Sequence, residues 1–412
     1  MMIFKILKVY KNEGLKGLKV RLKNRIRTQK EVKLQQTNIN KFYEFIETSI
    51  ENQKEDFNLS NTNIIINWVL PHFGAGSGGH INIVRFINYL EKKGYSNRVY
   101  LYSCLGGETS ESLKQFAKDY YNLDKNSNTE FYPSIDYMDY SHFTIASSWE
   151  SAYFVRNFSR TKHKIYFVQD YEPDFFPKSS SYFFAENTYK FGFFGITAGK
   201  WLSDKLQKEY GMKCQDFSFS YDKELYKPLP KIEDGIVRIG LYVRFFTPRR
   251  LFELYVLALN ILYKKCQENN IKVEFTFVGQ DTGQFYFPFP VKDLGTKKLE
   301  ELPKVYSEND IFLVPSGTNL SLLPLEVMAC NTLVMSNRGD NAEWLLNQEN
   351  SVLSNPDPVD ISEKLYDFVI DSQRRKDLSQ KGYEFAIKTS WEKEGEKVHD
   401  ILQSILRNEE KN

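Results

Sequence analysis

Two arginines, Arg244 and Arg249, stand five positions apart in the segment Gly240-Leu241-Tyr242-Val243-Arg244-Phe245-Phe246-Thr247-Pro248-Arg249-Arg250. A guanidinium presents a planar fork that matches two phosphate oxygens at once, so a pair this close suits a diphosphate. A second segment, Pro315-Ser316-Gly317-Thr318-Asn319-Leu320-Ser321-Leu322-Leu323-Pro324-Leu325-Glu326, is a run of small residues opening into a helical pattern. Free amides at such a helix start can face an anion, and Glu326 can accept hydrogen bonds from a ribose diol. A third group, Gln169, Asp170 and Glu172, follows an apolar run; its carboxylates could bind sugar hydroxyls or act as a base. A fourth is the loop Gly74-Ala75-Gly76-Ser77-Gly78-Gly79-His80. Its glycines fit the G-x-G-x-x-G spacing of dinucleotide folds. The strand expected about 20 residues on, Arg98-Val99-Tyr100-Leu101-Tyr102-Ser103, ends without the acid that would hold a nicotinamide ribose. A loop that closes over a bound diphosphate or sugar fits better, with Gly76, Gly78, Gly79 and His80 as its contacts.

These groups need strand ends to hold them. Ile64–Leu70 is a short, nearly continuous apolar run, as expected of a buried parallel strand. The glycine loop follows, then a helical pattern to Leu90, then a strand at Val99–Leu101. That unit opens a Rossmann-like domain. Further strands are expected at Phe143–Ala146, Ile165–Gln169 and Phe194–Thr197, and a proline-stiffened linker at Tyr226–Pro230. A second series follows: strand Ile236–Val243, helix Arg249–Cys266, strand Val273–Gly279, helix Lys298–Tyr306, strand Ile311–Val314, helix Leu322–Ala329 and strand Thr332–Met335. From Ile361 the chain reads as helical to its end. The expected class is α/β: a basic helical arm over 1–50, a Rossmann-like domain over 51–228, a second over 229–390, and a C-terminal helix over 391–412 packing back on the first.

Composition excludes other classes. The 412 residues carry a net charge of +2, without the concentrated basic surface of a nucleic-acid binder. The one dense basic stretch lies within residues 1–33, where apolar residues are interspersed with Lys and Arg. It reads equally as an amphipathic segment resting on an anionic membrane surface or as a solvated helical arm. No window is apolar enough to span a bilayer. Cys104, Cys214, Cys266 and Cys330 form no close pair, which points away from a zinc site or disulfide framework and towards a cytoplasmic setting. No Asp-x-Asp pair is present to hold a divalent metal on a diphosphate, so metal-independent chemistry is expected.

The second half resembles the family-four retaining glycosyltransferases of the GT-B fold. Pro324-Leu325-Glu326-Val327-Met328-Ala329 is similar to the family's P-L-E-A-M-A run, Arg244 matches its diphosphate arginine, and Arg249 takes the position of its lysine. Trp391-Glu392 matches a frequent C-terminal S-W-E. Phe167-Val168-Gln169-Asp170-Tyr171-Glu172-Pro173-Asp174 and the run from Phe194 to Leu202 are similar to rhamnosyltransferases of rhamnan and S-layer glycan assembly. The resemblance implies two Rossmann-like domains facing across a cleft. It implies donor contacts from Arg244, Arg249, Thr296, Thr318, Asn319, Leu322, Leu323 and Glu326. It also implies a dTDP-β-L-rhamnose donor, a lipid-linked glycan acceptor and a β-rhamnosidic product, with a 1,2 linkage among the options. The first Glu of the family's Glu-x7-Glu motif falls on Thr318, so the carboxylate that holds donor-sugar hydroxyls is missing there. A GT-B sugar-nucleotide epimerase and a non-catalytic sugar-binding subunit remain open beside the transferase reading.

Overall fold

A computed structural model describes residues 39, 41, 43–49, 63–104 and 106–409. The chain divides into two units, residues 1–53 and 54–412. In the first, the described part is a short helix, Glu44–Glu47, followed by Thr48, whose hydroxyl donates to the Glu44 carbonyl at 2.7 Å. The basic stretch 1–33 and the polar connector after Ile50 lie outside the described residues.

The second unit holds two sheets. The first has seven strands: β1 (Ile65–Leu70), β2 (Ser96–Leu101), β3 (Glu130–Tyr132), β4 (Ser141–Ala146), β5 (Thr161–Val168), β6 (Phe194–Ala198) and β7 (Cys214–Phe217). Their order is β3-β2-β1-β4-β5-β6-β7, and every pairing is parallel. The second has β8 (Val237–Val243), β9 (Val273–Gly279), β10 (Val291–Asp293), β11 (Ile311–Leu313), β12 (Leu333–Asn337) and β13 (Val352–Ser354). Its order is β10-β9-β8-β11-β12-β13, again all parallel. Parallel sheets need helices on both faces, which is why β1, apart from Asn67, and β11 read as apolar runs. Trp68 in β1 is fully buried, and its indole N–H is satisfied by Asn97 Oδ1 at 3.0 Å.

Both sheets reverse direction of strand order at one point, between β1 and β4 in the first and between β8 and β11 in the second. Ligands of open α/β sheets bind at the carboxyl ends of strands flanking such a point. In the second sheet the flanking loops are Arg244–Leu251 and Val314–Leu322, which hold both candidate phosphate groups. A core cluster runs from Trp68 and Phe167 through Phe217 and Phe219 to Leu320 and Leu346, so the two sheets share buried apolar surface. The final helix, Trp391–Glu409, packs on the helix Gly78–Lys92 of the first layer. Tyr89 donates to Glu396, Gln403 donates to the Tyr95 hydroxyl at 2.8 Å, and Arg85 stacks on the Trp391 ring at 4.2 Å.

Three expected elements differ. The helix expected from Arg249 begins at Phe252; Pro248–Arg250 forms a tight 3-10 turn, and Leu251 takes the left-handed conformation at φ 52°. Pro248 starts that turn with its fixed φ, and the Arg249 carbonyl is claimed by the Gly317 amide at 2.7 Å instead of by a helical partner. The helix expected from Lys298 starts as a 3-10 turn, Leu299–Glu301, before Leu302–Ser307. The helical tail starts at Pro358, after strand β13, and is cut into three, with Asp371 capping the second helix through a bond from the Arg374 amide at 2.9 Å. The linker is also less free than its prolines imply. The Leu229 amide donates to Ser307 Oγ at 3.2 Å, and Lys231 donates to the Asn309 carbonyl at 2.9 Å.

Candidate active site

The turn after β8 and the loop after β11 are welded to each other. Besides the bond from Gly317 to the Arg249 carbonyl, Arg250 Nη1 donates to Ser316 Oγ at 2.7 Å. Arg250 is not marked out by the sequence alone. Its one signal is adjacency in Pro248-Arg249-Arg250. Burial holds its guanidinium down at about 10, and its bonds go to the loop, so it positions Thr318 and Asn319 instead of facing a ligand.

Arg249 behaves differently. Its guanidinium stacks on Phe175 of the first domain at 4.3 Å and lies 4.0 Å from Asp170 Oδ2. Its Nη1 is buried and has no hydrogen-bond partner. An unsatisfied buried cationic donor is costly, and an anionic ligand would relieve it. Arg244 sits farther out and is exposed, with Nε donating to the Tyr242 hydroxyl at 2.9 Å. Thr296 lies in the loop after β10, donating to the Gly279 carbonyl at 2.7 Å. Gly279, at φ 129°, is where three strand ends converge; a Cβ there would sit 2.3 Å from the Val243 carbonyl oxygen.

Across the cleft, Asp170 follows β5. Its Oδ2 accepts from the Thr318 hydroxyl and its Oδ1 from the Asn319 amide, each at 2.8 Å. Asn319 is 1% exposed and acts as a clasp. Its side-chain N–H groups donate to the carbonyls of Gln169 and Ala198, both at 2.8 Å, and its Oδ1 accepts from the indoles of Trp201 at 3.1 Å and Trp344 at 3.0 Å. Gly199, at φ 91°, admits the Trp344 ring; an added Cβ would come within 2.7 Å of it. Trp344 was not identifiable from sequence, because nothing near it in the chain marks it.

The glycine loop reaches the same floor. Gln169 Nε2 donates to the Gly79 carbonyl at 3.3 Å, and Gly76 takes φ 76°. At Gly74, Gly76 and Gly78 a Cβ would meet nothing within 4 Å, so that face of the loop is open.

Two expected site residues turn away. Glu172 is 6% exposed and points into the first domain, accepting from the Trp149 amide at 2.7 Å and the Tyr166 hydroxyl at 3.0 Å. Desolvation, reinforced by the neighbouring Glu150, pushes its carboxyl up to about 8. The 3-10 turn Glu172–Phe175 rotates its side chain inward while Asp170 stays at the cleft. It shapes the turn that carries Phe175. His80 is also inward. It stacks on Tyr121 at 5.3 Å, and its Nδ1 pairs with Ser77 Oγ at 2.7 Å. Burial lowers it to about 4, so the ring is neutral and adds no positive charge to the loop. The loop after β11 also offers fewer free amides than its sequence implies. Those of Ser316, Gly317, Asn319 and Leu320 already bond Asn337, Arg249, Asp170 and the Asn319 side chain. Positive charge for an anion must therefore come mainly from the arginines.

Glu326 lies on the helix Leu323–Ala329, just after Leu322 and Leu323. Its electrostatic neighbours are Arg85, Tyr226 and Asp222, at the crossing between the domains, and not the Arg249 group. Desolvation raises its carboxyl to about 7, against the opposing pull of Arg85. The structure thus gathers Gln169, Asp170, Arg249, Thr318 and Asn319 into one cluster, with Arg244, Thr296 and the glycine loop around it and Glu326 at a separate edge.

Residues 237–366 match the family model of the WsaF C-terminal domain, and residues 137–197 match that of the WsaF N-terminal domain. The chain is 33% identical over 258 residues to the O-antigen biosynthesis protein RfbC of Myxococcus xanthus, covering 62% of this chain and 20% of that protein. It therefore spans about a fifth of that relative's length. Among solved structures, Anabaena Alr3699/HepE in complex with UDP and glucose superposes with a TM-score of 0.63 at 14% identity, covering 83% of this chain and all of that one. Sucrose-phosphate synthase from Thermosynechococcus elongatus gives 0.62 at 13% identity, covering 84% and 100%. These two likenesses speak to fold. A WsaF-type segment is matched on each side of the cleft, and the two parallel Rossmann-like sheets facing each other have the GT-B fold, so the chain resembles WsaF in sequence and the GT-B glycosyltransferases in architecture.

Proposed function

We propose that the chain is a retaining glycosyltransferase that moves L-rhamnose from dTDP-β-L-rhamnose to a growing rhamnan or S-layer glycan, forming a β-rhamnosidic bond. The observation that carries the reading is the buried Nη1 of Arg249, which has no hydrogen-bond partner and only a 4.0 Å ion pair with Asp170, at the switch point of the second sheet. That is a cation held ready for a diphosphate. Arg244 adds a second, exposed guanidinium at the same edge. In this reading the acceptor hydroxyl attacks the anomeric carbon on the face the diphosphate leaves. The bond from that carbon to the phosphate oxygen breaks, a bond to the acceptor oxygen forms, and the hydroxyl proton passes to the departing phosphate oxygen. Charge that grows on the leaving group is met by preorganised guanidinium, which is electrostatic stabilisation of the oxyanion-hole kind. Arginines and the absence of an Asp-x-Asp pair in the sequence support chemistry without a metal. The acceptor would be a lipid-linked glycan, reached from the cytoplasmic face.

Calorimetric titration with dTDP, UDP and GDP, without added metal, tests the site. Preferential binding of dTDP is expected. Arg249→Ala should lose about 2–5 kcal/mol of binding and transition-state stabilisation, as for removal of a buried charge partner. Failure of all three nucleotides to bind would overturn the reading. Incubation with dTDP-β-L-rhamnose alone separates a transferase from an epimerase, since only the latter converts the sugar without an acceptor.

A further inference from the structure

The resemblance leaves a gap at Thr318, where a carboxylate is expected and a hydroxyl stands. The structure fills that gap from the other side of the cleft. Thr318 is 3% exposed, and its hydroxyl donates to Asp170 Oδ2 at 2.8 Å. Oδ1 of the same carboxylate takes the Asn319 amide and its own neighbour's amide, Tyr171, each at 2.8 Å. Both domains fix this meeting. Asn319 is clasped by Gln169, Ala198, Trp201 and Trp344, and the loop that carries it is pinned by Arg250. Oδ2 keeps acceptor capacity beyond the Thr318 bond. The Asp170 side chain is 13% exposed, and its Oδ2 forms a 4.0 Å ion pair with Arg249 Nη1, a buried nitrogen that has no hydrogen-bond partner. A sugar joined to a diphosphate on Arg249 would have its hydroxyls within reach of that carboxylate.

We infer that Asp170 is the carboxylate that reads the donor sugar's hydroxyls, delivered across the cleft by Thr318 and Asn319 in place of an acid on the donor loop. This rests on the glycosyltransferase reading above. It makes Asp170 a specificity-determining residue and divides recognition between the domains: the second domain holds the nucleoside diphosphate, and the first contributes the sugar contact. Sugar recognition then depends on the domains being docked, whereas diphosphate binding does not.

The test compares dTDP and dTDP-β-L-rhamnose binding in the full chain with Asp170→Asn, Thr318→Glu and the double variant. Asp170→Asn keeps an oxygen for the two amides, so the fold should persist, as checked by thermal unfolding. It should bind dTDP as well as the parent or more tightly, because a negative charge beside Arg249 is gone. Its affinity for dTDP-β-L-rhamnose relative to dTDP should fall at least tenfold. Thr318→Glu alone should be worse, since it presses two carboxylates together. The double variant should regain at least tenfold over Thr318→Glu by returning a single acid to the site. An unchanged sugar-to-dTDP ratio in folded Asp170→Asn, or a double variant no better than Thr318→Glu, would overturn the inference while leaving the nucleotide site intact. Loss of dTDP binding in the parent protein would instead overturn the transferase reading and this inference with it.

Discussion

Replacing Asn319 by Asp changes one atom of a 1%-exposed side chain and reverses its hydrogen-bond polarity. Two N–H groups that now donate to the Gln169 and Ala198 carbonyls at 2.8 Å become an oxygen facing two oxygens. Each buried carbonyl left without a donor costs about 1–3 kcal/mol. The new charge would strengthen the bonds from Trp201 and Trp344, returning roughly 1 kcal/mol each. It would also be buried beside Asp170, which adds several kcal/mol of desolvation and repulsion. The balance is a loss of about 4 kcal/mol. At roughly 2–4 °C per kcal/mol for domains of this size, the melting temperature should fall by about 8–16 °C. Scanning calorimetry reads this directly, with Asn319→Ala as the comparison. If the residue acted by packing, the isosteric Asp would be milder than Ala. If it acts as a clasp between domains, Asp should be at least as damaging. An Asn319→Asp protein melting within 2 °C of the parent would refute the argument.

Other outcomes follow from the same geometry. If Glu326 binds ribose as a carboxylate, its elevated value near 7 means nucleotide affinity falls as pH drops through neutrality; titration should show about tenfold weaker binding at pH 6 than at pH 8, and Glu326→Gln should flatten the profile at the weaker level. Glu172, raised to about 8, is neutral in the folded state and ionised above pH 4.5 when unfolded. Its contribution to stability is full below the unfolded value and is lost as pH rises through 8. Glu172→Gln should therefore keep turnover and lose less stability than the parent between pH 6 and pH 9; a folded variant with turnover reduced more than a hundredfold would restore Glu172 as a catalytic group. Gly279→Ala combines a φ of 129° with a Cβ clash against the Val243 carbonyl, so it should destabilise the second sheet by more than about 2 kcal/mol in denaturant unfolding.

The interior strands are plain in the sequence because a parallel strand covered on both faces is mostly apolar, as in β1 and β11, and β9 keeps its polar Glu274 near its start. Ile64–Leu70, Val273–Gly279 and Ile311–Val314 differ from β1, β9 and β11 by a residue at most. The edge strands β3, β7, β10 and β13 leave little mark in the sequence; Glu130–Tyr132 and Val291–Asp293 are three residues long and carry little burial pattern. Site chemistry is legible by type: Arg249, Asp170, Thr318 and Asn319 stand out by spacing and resemblance, and the structure brings them together. Direction was not legible. Asp170 and Glu172 are two residues apart with the same functional group, yet one lines the cleft and the other lies in the core, because a 3-10 turn after β5 sets the rotation between them. His80 likewise reads as a loop contact until Tyr121, more than forty residues later, stacks on it. The contacts that join the domains are longer still: Asn319 meets Gln169 and Ala198 across more than a hundred residues. Local sequence determines which segments bury themselves and which groups are available, because periodicity and side-chain chemistry are properties of neighbours in the chain. Which of those groups face each other is decided by how the two sheets dock, and no periodic pattern encodes that.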